Sequence, residues 1–272
     1  MKKNIYQPIE AVIEDVKQET PTIKTFVFRP KQEFAFRTGE FIELTVPGLG
    51  EAPFTPSSDP SKTDTIDVTI MNVGMVTSKL HTMKKGDLVG IRGPYGKGYP
   101  LGKFKNKDVL VVGGGVGLAP LRSLLFTLFS DMKSYKKVVL RYGARTPKDL
   151  VYKESLPSWA RKKKVNVVTT VDVGEPKWRG NVGLVTTILN KLPVNLKNAV
   201  AIVCGPPIMM KFVAMKLSEV GFKPKDIYLS MEKSMSCGLG KCGHCRIGKY
   251  YACKDGPVFC YRDLKSIHDI WD

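Results

Sequence analysis

Five of the chain's six cysteines fall in one C-terminal stretch, SCGLGKCGHCRIGKYYACKDGPVFC. Cys237, Cys242 and Cys245 form C-x4-C-x2-C, and Cys253 follows after seven further residues. Four thiolates at such intervals match the plant-type spacing for a [2Fe-2S] cluster. Gly238, Gly240 and Gly243 let the loop fold round a cluster and turn backbone N–H groups toward its sulfurs. Structural zinc is the rival, with His244 as a further ligand, but zinc sites usually show two separated C-x2-C pairs, and only one is present. A disulfide framework does not suit a chain whose N-terminus, MKKNIYQPIEAVIEDV, lacks the apolar core of a secretory signal. Cys260 is left over once four ligands are counted.

A second constellation is VLVVGGGVGLAPL, which sets Gly113, Gly114, Gly115, Val116 and Gly117 between an apolar strand and a helix beginning near Ala119 and Pro120. Glycine there lets backbone approach a phosphate, and the helix N-terminus offers free N–H groups. The ordinary dinucleotide fingerprint also wants an acid at the end of the next strand. That strand ends RYGARTPKD, with Arg145 and no acid in place, which leaves room for a 2′-phosphate or for a ribose held differently. A third, IVCGPPIMM, puts Cys204 at a strand's C-terminal edge, where open α/β sheets bind ligands. Gly205, Pro206 and Pro207 then turn into a helix. Cys204 is read as lining a nicotinamide site.

The elements that must position these groups fall into three zones. Residues 1–105 alternate apolar and polar residues at period two, in IEAVIEDV, TIKTFVFRP, EFIELTV, TIDVTIM and LVGIRG, which predicts a small antiparallel β-barrel. Residues 106–228 alternate apolar runs (DVLVVG, KVVLRYG, VNVVTTVD, AVAIVCG, DIYLS) with helical stretches (APLRSLLFTLFSDM, LVTTILNKL, PIMMKFVAMKLSEVG). That is the pattern of an α/β domain with a parallel sheet covered on both faces. Residues 229–272 form a Gly/Cys-rich tail with little core of its own.

The chain is long enough for two domains, and its 43% apolar and 25% charged residues are ordinary for a soluble protein. Its most apolar region, VLVVGGGVGLAPLRSLLFTLF, is broken by glycines, a proline and Arg122, so no membrane span is expected and the reading is cytoplasmic. A net charge of +18 would suit nucleic acid, but the lysines are spread along the chain and no basic helix with interleaved aromatics occurs, which excludes that class. The plain reading is a lysine-coated soluble surface; acidic protein partners are the functional one, and bound anionic cofactors would offset part of the charge.

Taken in order, GEAPFTPSS, NVGMVTSKLHTMKKGD, RGPYGKGYP, GGGVGLAPLR, CGPPIMM and CGLGKCGHCRIGKYYACKDGPVF resemble the ferredoxin–NADP reductase superfamily with a C-terminal [2Fe-2S] domain. Within it, the chain resembles sulfhydrogenase gamma subunits, the beta subunit of anaerobic sulfite reductase and the electron-transfer subunit of dihydroorotate dehydrogenase. The resemblance implies FAD on the N-terminal barrel. Pro53, Phe54 and Thr55 match the segment that lies along the flavin, with Thr55 at the flavin N5, while the arginine usual for the pyrophosphate is Ala52 here. Ile70, Met71, Asn72, Gly74, Val76 and Thr77 match the second flavin segment, with Thr77 able either to carry phosphate or to cap a helix. Glu232 stands where relatives place a carboxylate near the nicotinamide.

NAD(P)H gives up two electrons together and an iron–sulfur cluster takes one, so a flavin must stand between them, and the protein's part is positioning. No terminal catalytic signature is present. The expected function is that of an NAD(P)H-dependent electron-transfer flavoprotein subunit. It would serve a sulfhydrogenase- or sulfite-reductase-like complex, with sister subunits or a ferredoxin as acidic partners. The alternatives are the dihydroorotate dehydrogenase role and a non-redox nucleotide-binding module with structural zinc.

Overall fold

The structure, a computed structural model, describes residues 4–268 and 270–271. The N-terminal Lys2 and Lys3 lie outside the described residues. The first half contains β1 (Ile9–Thr20), β2 (Ile23–Pro30), β3 (Phe41–Val46), β4 (Gly50–Phe54), β5 (Ile66–Met71), α1 (Met75–Thr82) and β6 (Leu88–Tyr95). The strands pair antiparallel in the order β4-β3-β6-β1-β2-β5. The period-two alternation aims one side of each strand inward. Ile13, Phe26, Phe28, Ile42, Leu44, Ile66, Val68 and Ile91 therefore share one core, with Leu80 of α1 closing it. The sheet curls round that core with β4 and β5 as its edges. Strand β4 escapes the alternation rule because GEAPF is exposed at Gly50, half-buried at every later position, and carries a glycine and a proline.

The second half contains β7 (Asp108–Gly114), α2 (Leu118–Ser130), β8 (Lys137–Ala144), α3 (Ser155–Ala160), β9 (Val165–Val171), β10 (Asn181–Val182), β11 (Ala199–Cys204), α4 (Pro207–Glu219) and β12 (Ile227–Ser230). Strands β10, β9, β8, β7, β11 and β12 run parallel in that order. Every residue of β7 is buried, as a central parallel strand requires. Val109 and Val111 face one layer with α2, while Leu110 and Val112 face the other with α4. The stretch LVTTILNKL, expected as a helix, forms only a 3-10 segment at Val185–Leu189. Its four consecutive β-branched residues hold α-helix poorly, and Pro193 blocks extension.

The C-terminal segment adds β13 (Arg246–Ile247), β14 (Tyr250–Tyr251), α5 (Ala252–Asp255), β15 (Val258–Cys260) and α6 (Tyr261–Leu264). Strand β15 pairs antiparallel with β12 and extends the parallel sheet to seven strands. The tail borrows a core: Cys245, Ile247, Ala252, Cys253, Phe259 and Leu264 are buried with Val112, Val203 and Leu229.

Candidate functional site

The C-terminal edge of the parallel sheet faces β4 and β5 across a cavity of about 400 Å³. Pro53, Phe54, Thr55, Ile70, Met71 and Thr77 line it from the first half. Val116, Gly117, Ala119, Pro120, Cys204, Gly205, Pro206 and Pro207 line it from the second. Glu232, Met235 and Pro257 close it from the C-terminal segment. Three sequence regions read separately thus meet in one space. Phe41, Thr69, Ser230 and Met231 also line it, and nothing in the sequence signals them.

The glycine loop has a specific geometry. An ideal Cβ on Gly117 would lie 2.6 Å from Cys204 O and 2.7 Å from Gly205 Cα, so only glycine lets α2 start this close to the β11 turn. Gly115 has φ +53° and open space where a Cβ would be. Its carbonyl accepts a bond from the Tyr142 hydroxyl at 3.1 Å. Gly113 and Gly114 are the buried end of β7 and do not line the cavity. Cys204 is 7% exposed, and burial pushes its thiol up to about 12, with Ser230 pulling it back and Glu232 adding to the rise. It is a neutral, small wall atom at this site, not a thiolate.

At the second flavin segment, the Thr77 hydroxyl accepts from Val73 N (3.0 Å) and Gly74 N (2.8 Å) and donates to Gly74 O (2.9 Å). The side chain therefore builds the start of α1. The first intrahelical bond is Ser78 N–H to Gly74 O, which leaves the amides of Met75, Val76 and Thr77 free of the ladder. Asn72 accepts from Ser78 Oγ at 2.7 Å, and neither it nor Gly74 nor Val76 lines the cavity. Arg145 is exposed at the end of β8, away from the cavity wall. Beside it, at the end of β9, Asp172 donates its N–H to Ala144 O at 2.9 Å. Burial raises the Asp172 carboxyl and the Arg145 charge opposes that rise. An acid thus stands near Arg145 one strand later, where the sequence of β8 offers none.

The four cysteines form two pairs. Cys237 and Cys242 lie within side-chain hydrogen-bond reach, and Cys245 Sγ stands 3.2 Å from Cys253 Sγ. Among the described residues, no group of three or more His, Cys, Asp or Glu side chains is drawn together as a ready site for a metal ion. Pairs set round a loop suit a two-iron cluster better than one tetrahedral ion. Backbone donors already aim at the sulfurs: Leu239 N (3.3 Å) and Lys241 N (3.4 Å) to Cys237, and Gly240 N (2.9 Å) to Cys253. Burial pushes the Cys237 thiol up, but those amides outweigh it and hold the group well below the ordinary thiol value. The donor set fits a group held by thiolates. His244 accepts or donates at 2.7 Å to Ser236 Oγ.

The cluster loop is tied to the first half of the chain. Arg92 on β6 is buried, donates to Glu51 (Nε to Oε1, 2.8 Å, with Nη2 on Oε2), to the Tyr95 hydroxyl (3.0 Å) and to Cys237 O (3.4 Å). Lys241 Nζ donates to the Tyr6 hydroxyl at 2.9 Å. Cys260 stands apart from the four, 3.5 Å from Lys225 O.

The two-layered cleft, glycine loop and paired cysteines define an NAD(P)H-dependent flavoprotein oxidoreductase with an iron–sulfur centre. Three family models match: an oxidoreductase FAD-binding domain at 10–99, an oxidoreductase NAD-binding domain at 111–215, and the iron-sulfur cluster binding domain of dihydroorotate dehydrogenase B at 232–265. Sulfhydrogenase 1 subunit gamma of Pyrococcus furiosus is 37% identical over 93% of this chain and 90% of that protein. A probable dihydroorotate dehydrogenase B (NAD(+)) electron transfer subunit of Methanocaldococcus jannaschii is 34% identical over 97% and 93%. The chain belongs to this family of ferredoxin–NADP reductase-like proteins carrying a C-terminal iron–sulfur domain. The solved NADH-dependent reduced ferredoxin-NADP oxidoreductase shares the fold, with a TM-score of 0.74 at 24% identity over 98% of this chain and 93% of that one. No helix among the described residues is long and apolar enough to cross a membrane.

Proposed function

We propose that the chain is the NAD(P)H-handling electron-transfer subunit of a sulfhydrogenase- or sulfite-reductase-like complex, passing electrons between NAD(P)H, FAD and a [2Fe-2S] cluster and on to a sister subunit or a ferredoxin. One observation carries the reading: Thr55, Cys204 and Met235 line a single cavity, so the flavin segment, the nucleotide edge and the wall leading to Cys237 converge. Bound there, NAD(P)H would supply electrons in pairs, FAD would take them in pairs and release them singly, and the cluster would carry single electrons outward.

The chain's own residues position and exclude. Gly115 and Gly117 open the backbone to the nucleotide phosphates, and Arg145 with Asp172 would sort the adenosine ribose. Cys204, held neutral, presents a small wall to the nicotinamide without competing as a nucleophile. Thr55 offers a hydroxyl just past the end of the edge strand, and Pro53 and Phe54 lay an apolar face beside it. Glu232 is the exposed acid on the opposite wall. The sheltered amides round Cys237 and Cys253 stabilise thiolate ligands. We assign 1–105 to FAD, 106–228 to the nucleotide and 229–272 to the cluster, in a cytoplasmic protein.

The experiment is anaerobic titration with NADH and NADPH in parallel, following flavin and cluster absorbance. Cys245→Ser should lose the nucleotide-driven cluster bleaching while keeping that of the flavin; loss of both, or of neither, would overturn the relay. A second reading, the dihydroorotate dehydrogenase role, draws on the match at 232–265 and the 34% relative. Co-purification with a dihydroorotate-oxidising subunit would select it.

A further inference from the structure

Strand β8 alternates cleanly between the two layers until Arg141. Val138, Leu140 and Tyr142 enter one core and Val139 the other, so the position of Arg141 belongs to the apolar layer shared with Val185 and Leu189. It is 3% exposed, flanked in register by Val112 and Val168. A cation there is costly unless paired. Other arginines set into the fold follow that rule: the buried Arg92 pairs with Glu51, and the partly buried Arg122 with Asp67 at 2.9 Å. Arg141 has no carboxylate partner among the described residues. It donates to neutral oxygens only: Nε to Ile188 O (3.1 Å), and Nη1 to Leu140 O (3.0 Å) and Asn166 Oδ1 (2.8 Å). Its Nη2 is unspent.

Arg141 forms part of the wall of a cavity of about 260 Å³, with Val168, Thr187, Ile188, Asn190 and Lys191. No residue of this lining is acidic, and none is shared with the cofactor cavity. Lys191 is exposed and brings a second positive charge to the rim. Asn190 Nδ2 spends one N–H on Thr187 O (3.2 Å) and keeps the other. A half-used planar fork, an ammonium and a spare amide donor, with no competing carboxylate, match the oxygens of a tetrahedral oxyanion.

We propose that Arg141 and Lys191 form a binding site for a small phosphate-class oxyanion, separate from the nucleotide cleft. The anion supplies the counter-charge that the fold omits. Burial alone holds the guanidinium below its ordinary value, with no acid opposing that effect. The site lies on the sheet face, away from the strand ends that hold the cofactors, so occupancy is independent of nucleotide.

The test is calorimetric titration of the FAD- and cluster-loaded protein with inorganic phosphate, at saturating NAD(P)+ and matched chloride ionic strength. One phosphate should bind per chain. Lys191→Ala should weaken it at least fivefold. Asn190→Glu, which puts a carboxylate on the rim as an internal counter-ion, should abolish it. Both sit on exposed positions outside the cofactor machinery, so dye reduction confirms that they remain folded. Arg141→Gln should also abolish binding, and the two rim variants decide the matter if it does not fold. Equal heats for phosphate and chloride, or undiminished phosphate binding in either rim variant, would overturn the site.

Discussion

Glu43 offers the sharpest quantitative prediction. It lies on β3 with 0% exposure, and neither carboxylate oxygen has a hydrogen-bond partner. The nearby Arg92 is already committed to Glu51, Tyr95 and Cys237 O. Burial is the main force on Glu43; Arg92 pulls its pKa down, Glu51 and Cys237 push it up, and the result is about 7 against 4.5 when unfolded. The folded protein therefore holds a proton that the unfolded chain gives up. Stability from this group is intact below pH 4.5 and is lost as pH rises through 7. A gap of about 2.5 pH units at 1.36 kcal/mol each amounts to about 3 kcal/mol. Glu43→Gln keeps the shape and cannot ionise. It should match the wild type near pH 4.5 and exceed it by up to about 3 kcal/mol at pH 8. Denaturant unfolding of the anaerobic holoprotein across that range reads the difference. A protonated-carboxyl infrared band at pH 6, missing in the variant, reports the proton directly. Parallel stability curves with no such band would refute the reasoning.

Gly117→Ala should raise the NAD(P)H dissociation constant roughly 5- to 150-fold, the equivalent of about 1–3 kcal/mol of overpacking against Cys204 O, as read by nucleotide titration of flavin absorbance. Arg92→Met should destabilise the protein by about 3 kcal/mol or more, because it strands Glu51 and frees Cys237 O; proteolysis at the cluster loop should accelerate. With the Cys204 thiol pushed up to about 12, the rate of flavin reduction should show no thiol titration between pH 6 and 10, and Cys204→Ala should leave that profile unchanged.

The regular elements were largely legible because their sequences carry the period of the element. In sequence, β1, β2, β3, β5 and β6 alternate apolar and polar residues, while β7 and β11 read as apolar runs and β8 as one interrupted by Arg141. Strand β4 was not, although it carries Pro53 and Phe54, because an edge strand with neither face fully buried leaves no alternation. The cysteine and glycine motifs announced themselves through spacing alone. The cavity's remaining wall did not. Phe41, Thr69 and Ser230 reach it through pairings that link residues far apart in the chain, such as β12 with β15. Asp172 was hidden for the same reason, since it meets Arg145 only when β9 lies beside β8. Arg141 was written in the sequence as a charge inside KVVLRYG, but its lack of a counter-ion needs the folded neighbourhood.

The central claim is tested most directly by adding NADH, and separately NADPH, to the anaerobic protein while recording its visible and low-temperature EPR spectra. The account predicts that one nucleotide bleaches a flavin band and then produces the signal of a reduced [2Fe-2S] cluster, which Cys237→Ser removes without touching the flavin band. A protein that carries zinc and no acid-labile sulfide, with no flavin to bleach after reconstitution, would contradict it.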